Sequence, residues 1–236
     1  VLGRSHALSG VVTGLTAGSL VLHEHTAPLL LLTGLTAAYA LAPDMDACGS
    51  TEARSFGFVT WCLAWFVRKV SGGHRHGTHS LAGIASFTAA AWLACLFRHD
   101  WPGRIALFVI LAVGLAAAVD ALTPRAAHAG NVLALAGAAA MCWTGYGLAL
   151  VPLAAALGCA THIAGDGLTR CGVPLLWPAT IKEFHLTPRP LWFTTGKLAE
   201  HVIVTPLLVA ALGFLIWHDT GVIALAAHLH AAVGRP

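Results

Sequence analysis

The sequence predicts an all-α, polytopic transmembrane helical bundle of about six to eight membrane segments, with a metal site at one membrane face. Three observations predict it. The first is composition: 57% of the 236 residues are hydrophobic and only 10% are charged, against about 25% charged in a soluble domain. The second is the length and texture of the apolar runs, which are rich in Ala, Leu, Gly and Val. None alternates apolar and polar residues over about ten positions, as a membrane barrel requires. The third is that acidic and histidine residues gather at the ends of those runs.

The runs in order are residues 7–22, 27–42, 81–97, 105–122, 131–148, 149–164 and 202–217. Several are at the low end for crossing a core of about 30 Å, and their small residues suit close helix packing. A shorter segment, 56–67, ends in Arg68-Lys69 and reads as a re-entrant or interfacial helix. Residues 222–233, with His228 and His230, fit either an interfacial helix or a short span. No small-residue cleavage site precedes His23, so the first run is expected to stay as a span. The whole of 1–236 is expected to be one domain, with the polar, Pro-rich stretch 167–200 as a loop over the site.

Following the chain across the membrane puts the polar groups on one side. From His6 on the first face, the chain reaches His23-Glu24-His25 on the second and returns at Asp44 and Asp46. If 56–67 does not cross, the loop from His74 to Ser80 is on the first face as well. Two further excursions, out past Arg98-His99-Asp100, return at Asp120 and then at His162 and Asp166. The same face collects Arg4, Arg54, Arg68, Lys69, Arg75, Arg125, Arg170, Lys182, Arg189 and Lys197, against Arg98 and Arg104 opposite. By the positive-inside rule the site face is expected to be cytoplasmic.

The chemistry is concentrated in three groups. Asp44 and Asp46 flank Met45 after Pro43, and two carboxylates so close to hydrocarbon are costly unless paired or metal-bound. His74 and His79 lie five residues apart in a Gly-containing turn, where Thr78 and Ser80 could cap the next helix. Arg75 beside them suits bidentate contact with phosphate oxygens. His162 and Asp166, four residues apart on a helix, share a face. His6 lies at the lip of the first span on the same side, and Asp120 is a second-tier candidate. The remaining histidines read as interfacial or packing residues.

His and Asp without thiolates point to zinc, one to three ions, with manganese the alternative. Cys48, Cys62, Cys95, Cys142, Cys159 and Cys171 are scattered without a CxxC pair and read as small buried hydrophobes. The net charge of +3 is spread out with no Lys/Arg run, so no nucleic acid binding is expected.

At these residues the chain resembles the YdjM family of inner-membrane proteins, grouped as metal-dependent hydrolases. The family pattern appears here as His6, then Pro43-Asp44-Met45-Asp46, then His74-Arg75-His76-Gly77-Thr78-His79-Ser80. It continues as His162 through Pro178, including Gly172-Val173-Pro174-Leu175-Leu176-Trp177-Pro178. Gly196 and Glu200 near the last span fit it too. Two positions depart: His76 replaces the usual Gly and is read as a substitution, and Ala47-Cys48 stands where a third polar residue tends to follow the paired Asp. The order of ligands is also similar to that of the zinc-dependent phospholipase C and nuclease group, an analogy at the level of ligand order alone.

The resemblance implies a hydrolase of the bacterial inner membrane. Joined to the residues above, it leads to the expectation of a phosphoesterase acting on a membrane lipid or lipid-linked phosphate. His6, Asp44, Asp46, His74, His79, His162 and Asp166 would hold the metal, which activates water for attack on phosphorus. Arg75 would stabilise the transition state, and Glu200 would orient a ligand or take a proton. Thr78, Ser80 and Thr169 would support the ligands. Amide or ester hydrolysis is the alternative chemistry. A metal transporter or sensor is the alternative class, but it needs polar groups continuing through the bilayer.

Overall fold

The structure is a computed structural model that describes residues 2–22 and 25–219. Its described residues are helical, with two isolated bridges, Thr169–Phe193 and Val173–Phe184, in the long loop. The helices are α1 (Gly3–Leu22), α2 (Thr26–Tyr39), α3 (Thr51–Arg54), α4 (Phe58–Val70), α5 (Leu81–Leu96), α6 (Trp101–Leu122), α7 (Ala127–Thr144), α8 (Val151–Gly167) and α9 (Thr205–Asp219). A 3-10 turn, Ala42–Asp46, extends α2, and a π-helical turn, Glu200–Val204, leads into α9.

Five segments are long and apolar enough to cross a membrane: Gly3–Leu22, Thr26–Asp46, Trp101–Leu122, Leu148–Gly167 and Glu200–Trp217. Two shorter apolar helices, Leu81–Leu96 and Ala129–Thr144, lie between them. The predicted spans therefore correspond to real helices, with boundaries shifted by a few residues. The chain is a membrane protein, and its large apolar side chains behave accordingly: Trp143, Phe214 and Trp217 are all exposed on the outside of the bundle. His23 and Glu24, and the segment 222–233 with its two histidines, lie outside the described residues.

Small residues set the packing at the centre. α1 and α8 both lie against α2. A Cβ added at Gly10 of α1 would stand 2.7 Å from Ala37 Cα and Ala40 Cβ, and one at Gly158 of α8 would stand 2.6 Å from the Thr36 carbonyl oxygen. Where lipid gives no hydrophobic drive for helix association, such backbone-to-backbone approach supplies the van der Waals contact that holds helices together. Further along the bundle, Leu32, Leu35, Leu107, Leu111 and Val151 close the apolar interior.

The short segment predicted as re-entrant or interfacial is α4. At 13 residues it is too short to span. Phe58, Trp61, Trp65 and Phe66 are exposed, Thr60 and Ala64 are buried, and Arg68 and Lys69 close the helix. This is the pattern of a helix lying in the headgroup boundary.

Pro43 shapes the end of α2. It lacks an N–H, so the carbonyl of Tyr39 loses its helical donor. The chain then tightens into a 3-10 turn in which Asp44 N–H donates to Leu41 C=O, 3.0 Å, rather than to Ala40. Two carbonyls are thereby released toward α8. Tyr39 C=O accepts from the Cys159 thiol and Ala40 C=O accepts from His162 Nδ1, 2.7 Å.

The packing makes opposite predictions for two glycines. Gly34→Ala, with nothing within 4 Å of the new Cβ, should hold or raise the melting temperature in detergent. Gly10→Ala should lower stability by about 1–3 kcal/mol through overpacking. A similar melting temperature in both variants would contradict the close α1–α2 contact.

Candidate metal centre

Four elements deliver the predicted residues to one end of the bundle. His6 comes from the first turns of α1, Asp44 and Asp46 from the 3-10 turn after α2, and His74 to His79 from the loop before α5. His162 and Asp166 come from the last turns of α8. His6, Asp46, His79, His162 and Asp166 are at most 1% exposed. The single-face arrangement expected from counting spans is therefore met for every candidate ligand.

The hydrogen bonds fix which ring nitrogens carry lone pairs. His162 Nδ1 lies 2.7 Å from the Ala40 carbonyl, which only accepts, so Nδ1 carries the proton and Nε2 the lone pair. Thr78 Oγ1 lies 2.6 Å from Asp46 Oδ2 and 2.9 Å from His79 Nδ1. The hydroxyl donates to the carboxylate and accepts from His79 Nδ1–H, leaving the lone pair of His79 on Nε2. The two Nε2 atoms face each other at 3.2 Å. Asp44 Oδ1 is 3.4 Å from His79 Nε2 and 3.7 Å from His162 Nε2. Asp166 Oδ2 is 3.6 Å and 3.9 Å from the same two atoms.

Asp44 Oδ1 and Asp166 Oδ2 thus each complete a set of three acceptors with the two facing Nε2 atoms. Donors about 2.0–2.1 Å from a tetrahedral zinc ion stand about 3.3 Å apart, close to these separations, so the donor set fits a divalent ion. A second place adjoins it. His6 Nε2 is 3.4 Å from Asp166 Oδ1, neither nitrogen of its buried ring makes a hydrogen bond, and the ring stacks on His162 at 3.7 Å. Among the described residues, three overlapping groups have ligand atoms within 4.8 Å of one another: His6, Asp44 and His162; His79, His162 and Asp166; and Asp44, Asp46 and His74.

Asp46 is engaged more as a support than the sequence suggested. Its Oδ1 meets His74 Nδ1 at 2.6 Å, and its Oδ2 accepts from Thr78 and from Arg75 N–H at 3.0 Å. It therefore orients both His74 and, through Thr78, His79, as outer carboxylates do around metal-bound imidazoles. The hydrogen bond to Asp46 also raises the His74 pKa by favouring its protonated form. Metal binding at His74 would have to displace that proton.

Arg75 adopts φ +62°, a left-handed conformation costing a side-chain-bearing residue about 1–3 kcal/mol. The bond from its N–H to Asp46 helps to hold it there. The strained backbone carries the guanidinium inward, where Nη2 lies 3.0 Å from Asp166 Oδ2 and Nη1 makes no hydrogen bond. Ser80 caps α5 as expected, accepting from Gly83 N–H at 3.1 Å and donating to Gly77 C=O at 2.6 Å. Thr78 does not cap; it forms the Asp46–His79 link. Thr169 supports Asp166 through the backbone, donating to its carbonyl at 2.7 Å.

Glu200 is fully buried but stands outside the three ligand groups. Its carboxylate accepts from Leu2 N–H at 2.6 Å and Gly196 N–H at 2.7 Å, tying the entry to α1 to the end of the long loop. That loop reaches the site loop elsewhere, with Leu81 N–H donating to Leu175 C=O and Trp177 packed over Gly77. His76, Asp120 and the cysteines also stand outside the three groups.

Outer support of this kind has a measurable signature. Asp46→Asn and Thr78→Val should each weaken divalent-metal affinity by about 10–100-fold while the protein stays folded. Metal titration of the purified variants reads this directly, and wild-type affinity in both would remove the orienting role.

No curated protein and no solved structure matches the chain. A family model does, that of the YdjM inner membrane protein, over residues 1–130, a stretch carrying His6, the Asp44–Asp46 turn and the loop from His74 to Ser80. The apolar bundle and the polar cluster at its end are thus the features of a chain that belongs to the YdjM inner membrane protein family.

Proposed function

We propose that this chain is a metal-dependent hydrolase that cleaves a phosphoester of a lipid or lipid-linked substrate at the cytoplasmic face of the bacterial inner membrane. The observation that carries the reading is the approach of two carboxylates, Asp44 and Asp166, to the facing Nε2 atoms of His79 and His162, beside an arginine with one nitrogen that makes no hydrogen bond. His79, His162, Asp44 and Asp166 would hold the first ion, and His6 and His74 lie where further ions would be held. A bound divalent ion, zinc first and manganese second, supplies activated water at neutral pH and charge stabilisation for phosphoryl oxygens.

The protein's own groups do the rest. Asp166 anchors one edge of the Arg75 guanidinium, which leaves Nη1 to bind a non-bridging phosphoryl oxygen. That contact strengthens as negative charge builds on the phosphoryl oxygens, so it acts on the transition state more than on the ground state. Water is added across the ester P–O bond, giving an alcohol and a phosphate. A site at the end of an apolar bundle, flanked by the interfacial helix α4, favours a substrate resident in the headgroup layer. Arg75 weighs against carbonyl hydrolysis, which develops charge on one oxygen only. Transport would call for polar groups along the bundle, whereas the ligand groups of the described residues lie at one end.

Arg75→Gly separates these readings. Glycine suits φ +62°, so the variant should fold at least as well as the wild type and keep its metal. Phosphoester turnover by metal-loaded protein should fall about 10²–10³-fold, with Arg75→Lys recovering part of it. Undiminished turnover, or cleavage of carboxylic esters in place of phosphoesters, would contradict the phosphoryl reading.

A further inference from the structure

An apolar cavity of about 280 Å³ opens beside the metal centre and is not needed to build it. Ala42 and Met45, from the same turn as Asp44 and Asp46, line its near end together with Glu52 of α3. Leu35 of α2, Ala90 of α5 and Val109 of α6 line it deeper in the bundle. The seven helical positions from Ala42 back to Leu35 correspond to about 10 Å along the membrane normal. Leu63 and Val67, on the inner side of α4, close it toward the interface. Ala90 and Val109 are themselves exposed on the outside of the bundle, so the cavity opens sideways to the bilayer.

Two polar atoms interrupt this lining, and neither has a partner. Glu52 is 2% exposed and its Oε1 makes no hydrogen bond; Tyr39 is 6% exposed and its hydroxyl makes none. Burying such atoms unpaired costs about 1–3 kcal/mol each. Both residues line the cavity. Burial, reinforced by the charge of Asp44, pushes the Glu52 carboxyl up to about 8, so at neutral pH it can donate a hydrogen bond as well as accept one.

We propose that this cavity is the acyl-chain site of the substrate: the chain enters from the bilayer beneath α4, and its ester oxygen meets the Tyr39 hydroxyl and the Glu52 carboxyl. The placement of a phosphate at the metal centre rests on the phosphoester reading above; the chain site itself rests on the cavity. An acyl lipid is favoured over an isoprenyl one because only the former brings an ester carbonyl for the two unpaired groups.

The test uses the full chain, metal-loaded in detergent, and a 1-acyl-glycerol 3-phosphate carrying a photoreactive diazirine at mid-chain. Cross-links should map to α2 near Tyr39, to Glu52 and to α5 near Phe87, and unlabelled acyl-glycerol phosphate should compete them away. Ala90→Trp and Val109→Trp, on two different helices, should each abolish this labelling while eluting as folded protein. Labelling spread over the outer helices, or unchanged in both variants, would overturn the proposal. Equal competition by farnesyl phosphate, which has no ester, would overturn the acyl assignment. Phosphate release is read in the same samples. Cavity labelling without turnover would leave the chain site standing and remove the phosphoester reading; turnover without cavity labelling would do the reverse.

Discussion

A carboxylate or imidazole lone pair removed from water must be met by a positive charge or a donor, and at the polar end of this bundle several must be met at once. Asp44 and Asp166 each bring a carboxylate oxygen within 3.4–3.9 Å of the Nε2 atoms of His79 and His162, which face each other at 3.2 Å. The N–H groups of the two imidazoles are spent elsewhere: His162 Nδ1–H on Ala40 and His79 Nδ1–H on Thr78. Arg75 supplies one charge, to Asp166. In a low dielectric, like-signed groups this close repel strongly. A bound cation resolves the conflict with the protonation pattern that the surrounding hydrogen bonds already impose.

The rest of the architecture follows from holding these acceptors in place. Pro43 ends α2 and releases the two carbonyls that grip α8. Gly10 and Gly158 let α1 and α8 approach α2 closely enough for His6 and His162 to stack. Asp46, buried and tied to three groups of the His74–Thr78 stretch, joins the end of α2 to the loop before α5. The left-handed backbone at Arg75 is a local cost that aims a guanidinium at the cluster. Four elements, α1, the turn after α2, the loop before α5 and α8, each contribute a few atoms to the site.

Much of this was legible in the residues themselves. Long apolar runs ending in Asp or His can fold only as spans with polar ends, so His6, Asp44, His79, His162 and Asp166 and their common face could be read before any coordinates. The division of labour among them could not. Asp44 and Asp46 look alike in sequence, yet the 3-10 turn sends one into the cluster and the other back to Thr78 and the Arg75 amide. Glu200 carries no local sign that its partners are the backbone of Leu2 and Gly196, since a contact across 198 positions leaves no periodicity. Glu52 was missed altogether, because a four-residue helix between apolar runs reads as a polar loop and its burial arises from α2, α4 and α6 closing around it. A signal existed in Thr51-Glu52-Ala53-Arg54 following Ser50, whose hydroxyl accepts from Ala53 N–H as a helix cap.

The central claim is that the acceptor cluster exists to hold a cation, and X-ray absorption at the zinc edge, on detergent-purified wild-type protein of known metal content, tests it most directly. The account predicts stoichiometric zinc with nitrogen and oxygen neighbours at about 2.0–2.2 Å, at least two of them imidazole, and no sulfur at about 2.3 Å. Folded protein that stays metal-free after reconstitution with zinc and with manganese, or zinc bound through cysteine sulfur, would contradict it.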